Sequence, residues 1–275
     1  MGEPTVLVLG STDSVGRRVV ERLGARGVPV RAASLRGRVR FDWTDPDTWE
    51  GALDGASAIH VMAPDGVRVD PEFLEYAVRH GVRRLTLLSG RGIEQANDRR
   101  LLDAERAVGG SGAEWTILRA DRCDQDFDEG VFAQDVRAGR ITVPVGDTRQ
   151  AFVDAGDVAA VAATVLTGEG HAGRIYEVTG PRALGFAEAA ATISEAAGYE
   201  VVFDGSPEAY ARVLREAGTP VEAAEAMTAS FTALAEGGDA LPTETVSRVT
   251  GRPPRDFTDY AAGAAPAWWR GQSRS

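Results

Sequence analysis

Residues 5–23 constrain the fold more than any other stretch. Val6, Leu7, Val8 and Leu9 form an unbroken apolar run, as a central parallel strand buried on both faces requires. Gly10 turns the chain straight into a helix. Val15, Val19, Val20 and Leu23 share one stripe of it, with Arg17, Arg18, Glu21 and Arg22 outside. A strand, tight turn and helix in this order aim backbone N–H groups and the positive helix end at a pyrophosphate. The spacing Gly-x-x-Gly-x-x-Gly is kept at Gly10 and Gly16, but Asp13 stands in the middle. Aspartate is a favoured helix N-cap worth ~1 kcal/mol. Beside a phosphate, the same carboxylate adds bulk and a like charge, costing ~1 kcal/mol at about 4 Å in water. The two readings support each other, since a cap carboxylate also fills the anion site of a helix end.

Further apolar runs predict strands at 28–33, 39–43, 58–64, 84–88 and 115–119, with helices near 71–80 and 101–108. Asp45 and Pro46 open another helix, with an oxygen-bearing cap before a first-position proline. Strands alternating with helices at this spacing imply an α/β fold, a Rossmann-like doubly wound parallel sheet. Ligands of such sheets bind beyond the carboxyl ends of the strands, so residues 10–16, 63–65, 89–92 and 120–127 are expected around one crevice. His60 falls within a buried run and reads as a core histidine. After Gly139 the rhythm changes. Short strands are expected at 140–144 and 151–154, then a helix capped by Asp157 over 158–166, a strand at 174–179 and helices at 186–197, 207–217 and 220–236. A C-terminal helix follows, with Trp268 and Trp269 packed on the domain. The division expected is a Rossmann-like region over 1–145 and a smaller mixed substrate lobe over 146–275, interwoven as one unit.

The net charge of −11 opposes nucleic acid or an anionic membrane as a partner. No apolar run approaches the roughly 20 residues of a membrane span, and residues 1–5 have no signal-peptide character. These features point to a cytoplasmic protein, monomer or homodimer, acting on a small molecule. Cys123 is the one cysteine, so no disulfide within the chain and no cysteine metal cluster can form. All 30 basic residues are arginine. Without lysine, neither Schiff-base chemistry nor a P-loop lysine is available.

The words at 6–10, 41–46 (Phe-Asp-Trp-Thr-Asp-Pro), 87–93 (Leu-Leu-Ser-Gly-Arg-Gly-Ile), 114–119, 152–158 (Phe-Val-Asp-Ala-Gly-Asp-Val) and 250–254 (Thr-Gly-Arg-Pro-Pro) keep one order from end to end. In them the whole chain resembles the NmrA-like branch of the atypical short-chain dehydrogenase/reductases. It looks closest to the subgroup of fungal clavine (ergot alkaloid) reductases and their bacterial relatives. The resemblance implies an enzyme that binds NADP(H) and reduces an imine, quinone or enone in secondary metabolism; some members are redox sensors. It implies that Gly10, Ser11, Thr12, Asp13 and Gly16 lie along the pyrophosphate and Ser34 and Arg36 near the 2′-phosphate. Asp42 would lie near the adenine, and Ala63 and Ser89 along the nicotinamide side. The residues 34–40 themselves, arginine-rich and without an acid, favour NADP over NAD or form a solvated basic loop.

Two departures touch the chemistry. The Tyr-x-x-x-Lys pair of typical short-chain dehydrogenases is missing, since there is no lysine and no tyrosine between Tyr76 and Tyr176. And where the family follows Leu-Arg-Pro with apolar or aromatic residues, Leu118 and Arg119 precede Ala120, Asp121, Arg122, Cys123, Asp124, Gln125, Asp126 and Phe127. Asp121, Asp124 and Asp126 are therefore candidate general acids or bases, with Arg122 or Arg91 as oxyanion partner and Ser89 beside them. In that alternative the chain is a cofactor-independent cyclase, isomerase or dehydratase. A third reading is a non-catalytic sensor of a dinucleotide or metabolite. No metal is expected.

Overall fold

The computed structural model describes residues 5–62, 64 and 66–269, without the side chains of Ser230 and Leu234. Its elements run β1 (Thr5–Leu9), α1 (Ser14–Ala25), β2 (Val30–Ser34), β3 (Val39–Arg40), a 3-10 turn leading into α2 (Trp49–Leu53), β4 (Ala56–Val61), α3 (Pro71–Arg79), β5 (Arg84–Gly90), α4 (Arg99–Gly109) and β6 (Glu114–Ala120). A second 3-10 turn (Asp124–Phe127) leads to α5 (Ala133–Ala138), β7 (Arg140–Thr142), β8 (Arg149–Gln150), α6 (Ala155–Thr167), β9 (Arg174–Val178), β10 (Leu184–Gly185) and α7 (Phe186–Ala197). Then come β11 (Val202–Asp204), α8 (Pro207–Glu216), α9 (Val221–Glu236), α10 (Thr245–Thr250) and α11 (Phe257–Trp268).

Alternation along β1 sets up the layers. Val6 and Val8 point to a core shared with α1 and α6, while Leu7 and Leu9 point to one shared with α2, α3 and α4. Seven parallel strands form the sheet between, ordered β3-β2-β1-β4-β5-β6-β9. The order reverses at β1 and β4, and a crevice opens there beyond the strand ends. The Rossmann-like expectation is met. A third core, built on Phe127, Phe152, Phe186, Phe257 and Trp268, fills the smaller lobe.

Residues beyond 145 also contribute to the main sheet and its α1 face. α6 packs on α1, and β9 pairs in parallel with β6 as the seventh strand, so residues 155–178 return to the main sheet. Other expectations also shift. The third strand stops at Arg40 because Phe41 and Trp43 turn inward to pack edge-on around Phe73. Residues 151–154 form no strand beyond a single bridge between Cys123 and Val153. Trp268 is buried as expected, but Trp269 is exposed.

The cap of α6 is Asp154, whose carboxylate accepts the Gly156 N–H at 2.7 Å, and not Asp157. Asp157 sits in the first turn, holding Arg252 at 2.7 Å and the Arg255 N–H at 2.6 Å. Asp154 also accepts from Gln125 at 3.0 Å and Arg255 at 3.2 Å. The words at 152–158 and 250–256 are thus two halves of a clasp holding the last helices to α6. Asp124 lies buried beside it, neither oxygen hydrogen-bonded among the described residues. Burial, reinforced by Asp154 and Asp157, holds its carboxyl well above the usual range.

His60 lies in register with Val8 and Thr86, fully buried and with neither ring nitrogen hydrogen-bonded among the described residues. Burial pushes it down to about 4 from an ordinary 6.5. Between those values the unfolded chain takes up a proton that the folded one refuses. Stability is therefore lost as pH falls from 6.5 towards 4, by about 3 kcal/mol from this group. Urea unfolding of His60→Leu over that range should show a shallower loss than the parent. Asp124 acts with the opposite sign: its folded carboxyl is raised, so its contribution is present at low pH and lost as pH rises past the unfolded value. Asp124→Leu should accordingly stabilise at neutral pH, by ~1–3 kcal/mol. An unchanged or lower urea midpoint would contradict this account of the site.

Candidate active site

At the switch point, Gly10 takes a φ of +65°, which favours glycine. A Cβ on Gly16 would stand 2.2 Å from the Gly10 carbonyl oxygen, so α1 meets the end of β1 backbone to backbone. The turn is tied down by the Ser11 N–H on the Ala33 carbonyl and the Asp13 N–H on the Gly10 carbonyl. Asp13 occupies the N-cap position of α1 yet makes no side-chain cap hydrogen bond. Its carboxylate folds back, 2.8 Å from where a Gly10 Cβ would be, and Met62 from the end of β4 covers the same spot. The expectation of a side-chain cap by Asp13 is corrected on that geometry. Thr12 is exposed at the tip. Ala63 lies outside the described residues.

At the end of β2 the Ser34 hydroxyl is buried without a partner among the described residues, and the Arg36 side chain is exposed beyond it. Asp42 is committed locally. Its carboxylate accepts the Thr44 N–H at 2.9 Å and hydroxyl at 2.8 Å, which hold it below the usual range.

A cavity of about 420 Å³ opens beyond β5, β6 and β9. Arg91, Glu94, Arg119, Asp121, Gln150 and Glu177 line it, with residues 237–240 across it. That segment is fixed by Ala240 N–H on the Arg149 carbonyl and Arg149 N–H on Asp239, both at 2.9 Å. Arg91 binds Asp121 at 3.4 Å, Glu177 at 3.3 Å and the Leu241 carbonyl at 2.9 Å. Arg119 makes a two-pronged bond to Glu105, at 2.9 and 2.6 Å, and binds Glu94 at 2.8 Å. Ser89, beside Arg119 in register, donates to the same buried Glu105 at 2.6 Å. Its hydroxyl is thus engaged on the α4 side, away from the role expected along the crevice.

The acidic loop does not converge on one point. Asp121 lines the cavity, but its carboxylate is shared between Arg91 and the Arg122 N–H. Arg122 turns to Asp126 at 2.8 Å and lies over the rings of Phe132 and Phe231. Asp124 faces the clasp. Of the candidate acids Asp121, Asp124 and Asp126 and the candidate partners Arg122 and Arg91, the cavity lining contains Asp121 and Arg91. Cys123 packs against the α1–α6 core, and burial pushes its thiol up, away from the reactive thiolate.

Several partners were not visible in sequence. Glu129 reaches Ser14 at 3.1 Å, Arg18 at 2.9 Å and Arg17, fastening the loop after β6 to the first turns of α1. Burial opposes its ionisation, but Arg18, Arg17 and Ser14 hold it down to about 2. Glu177, Gln150 and residues 237–240 enter the cavity from far along the chain, without a local motif. Among the described residues no His, Cys, Asp or Glu group is placed to hold a metal, and no helix is long and apolar enough to cross a membrane.

No family model matches the chain. It is 35% identical to a (4-alkanoyl-5-oxo-2,5-dihydrofuran-3-yl)methyl phosphate reductase of Streptomyces griseus, over 96% of this chain and 99% of that one. It is 30% identical to an NAD(P)H azoreductase of Xenophilus azovorans, over 96% and 99%. Among solved structures it is similar to an NADPH-dependent quinone oxidoreductase of Escherichia coli, with a TM-score of 0.73, 21% identity and coverage of 94% and 98%. The end-to-end likeness at these identities, together with the sheet order and the Gly10–Gly16 turn, shows that the chain belongs to the NmrA-like family of atypical short-chain dehydrogenase/reductases.

Proposed function

We propose that the chain is an NADP(H)-dependent reductase of an activated small molecule, an imine or iminium, a quinone or an enone, in secondary metabolism. One observation carries the reading: at the sheet's switch point, the first turn of α1 is not capped by Asp13 and offers its N–H groups to an anion. The residues present fit a dinucleotide. The turn is close-packed at Gly10 and Gly16, where a Cβ would overlap Met62 or the Gly10 carbonyl, and Ser34 keeps a buried hydroxyl without a partner among the described residues. The names of both relatives as reductases, and of one of them and the quinone oxidoreductase as NAD(P)H- or NADPH-dependent, support it further.

On this reading Gly10, Ser11, Thr12 and the first turn of α1 hold the pyrophosphate, while Ser34 and Arg36 meet the 2′-phosphate. NADPH, when bound, supplies the hydride. Asp13 sets a carboxylate beside the phosphates and weakens binding without closing the site. Arg91 and Arg119 orient the cavity walls. We assign the protein to the cytoplasm as a monomer or homodimer, with residues 1–145 as its cofactor-binding region and 146–275 as a substrate lobe interwoven with it. Of the cofactor-independent alternative, Asp121 with Arg91 is the one acid and arginine partner that line the cavity together.

Titrating the protein with NADPH while following fluorescence should give micromolar binding, and turnover would separate a reductase from a sensor. No response to millimolar NADPH or NADH would defeat both. Asp13→Gly should tighten NADPH about tenfold, equivalent to ~1.4 kcal/mol. Arg36→Ala should weaken NADPH by about as much and leave NADH unchanged, the mark of a 2′-phosphate contact.

A further inference from the structure

Helix α1 starts with charges that do not suit a helix start. Its first turn carries no acidic residue, and Arg17 and Arg18 follow directly, although the positive end of a helix favours anions and opposes cations. Arg18 brings its charge nearer still. Its guanidinium folds back and donates to the Ser14 carbonyl at 2.8 Å and the Ser14 hydroxyl at 2.9 Å, at the first residue of the helix.

The charge that answers them comes from the loop after β6. Glu129 accepts from Arg18 at 2.9 and 3.3 Å, from the Ser14 hydroxyl at 3.1 Å and from Arg17. Its place is set from behind. The Glu129 N–H donates to the Gln125 carbonyl at 2.9 Å, and the buried Gln125 side chain is itself fixed by Asp154 at 3.0 Å and the Ala155 N–H at 2.7 Å. The other acids that act on Arg18 are committed elsewhere, Asp128 to the Tyr260 hydroxyl at 2.7 Å and Asp154 to the clasp. The network itself is open to solvent. Its side chains stay exposed by 31% at Glu129, 35% at Arg17 and 21% at Arg18, so an incoming anion can reach them.

We propose that Glu129 is a resident counter-ion that sets the affinity of the cofactor site. In the free protein it holds Arg17 and Arg18, and the pyrophosphate of a dinucleotide competes with it for them. The proposal rests on the reductase reading for the identity of the anion, and on the α1 network alone for the competition. A simple tether would stabilise the loop and leave affinity unchanged or higher. A competing carboxylate stabilises the loop and lowers affinity, because two guanidiniums already paired have less charge and fewer donors to give a phosphate.

The test is titration of the full chain with NADPH, followed by fluorescence, and with inorganic pyrophosphate, followed by calorimetry, both at fixed ionic strength. Glu129→Gln should tighten both ligands about tenfold. It should also steepen their weakening by added salt, while its urea midpoint falls because the tether is lost. Arg17→Gln combined with Arg18→Gln should weaken pyrophosphate in the parent and abolish the gain from Glu129→Gln, with the fold unchanged by circular dichroism. Unchanged or weaker binding by Glu129→Gln, a gain that survives without the two arginines, or indifference of the parent to their loss would each overturn the inference. The two ligands keep the ideas apart. Pyrophosphate that responds to Glu129→Gln while NADPH binds neither protein counts against the reductase reading alone. NADPH bound equally by both proteins counts against the role of Glu129 alone.

Discussion

The backbone contact between Gly16 and the Gly10 carbonyl is the constraint on which the rest of the molecule depends. With no side chain on either residue, α1 descends onto the end of β1 and aims its first turn at the switch point. The same closeness presents Val15, Val19 and Leu23 to α6, which brings the chain back to the sheet and lets β9 pair with β6. A methyl group at position 16 would need the helix to withdraw, and the crevice, the α1–α6 core and the edge strand would all have to adjust. Position 13 is not under this constraint. Its side chain is exposed and no layer of the core includes it.

Charge is organised by a second rule. Every cation apart from histidine is arginine, and in the site the guanidiniums serve as multi-pronged connectors. Arg119 joins α4 to β6, Arg91 joins β6 and β9 to the segment after α9, and Arg252 and Arg255 close the clasp on α6. Once engaged this way, they contribute shape and little net positive potential. Truncating one end of such a buried pair is costly because it strands the other. The negative balance of the whole chain thus reappears locally in the cavity.

The sheet was legible in the sequence because its evidence is local. Val6–Leu9, Leu85–Leu87 and Ile117–Leu118 announce buried strands, and Phe186–Ala197 has the helical boundaries expected of it. The site was legible only where a motif is local too, at Gly10–Gly16. Asp157 was misread as a cap because Asp154 and Asp157 are equally good cap residues by type; the choice between them is made by Arg252 and Arg255, about a hundred residues on. Glu177, Gln150 and residues 237–240 carry no motif. They become neighbours only through the crossovers that carry α6 and β9 back to the sheet.

The acidic loop shows how sequence proximity misleads at the end of a strand. Five of the eight residues from Ala120 to Phe127 are ionisable, counting Cys123, which suggests a reactive cluster. The chain leaving β6 distributes them instead: Asp121 joins Arg91 in the cavity, Arg122 and Asp126 pair beneath Phe231, and Asp124 is sealed beside the clasp. Of the loop's three aspartates only Asp121 therefore faces the cavity, and Arg91 holds it there. Neighbours in sequence are thus given separate tasks by the fold: one lines a cavity, two pair with each other and one is sealed beside the clasp that holds the last helices to α6.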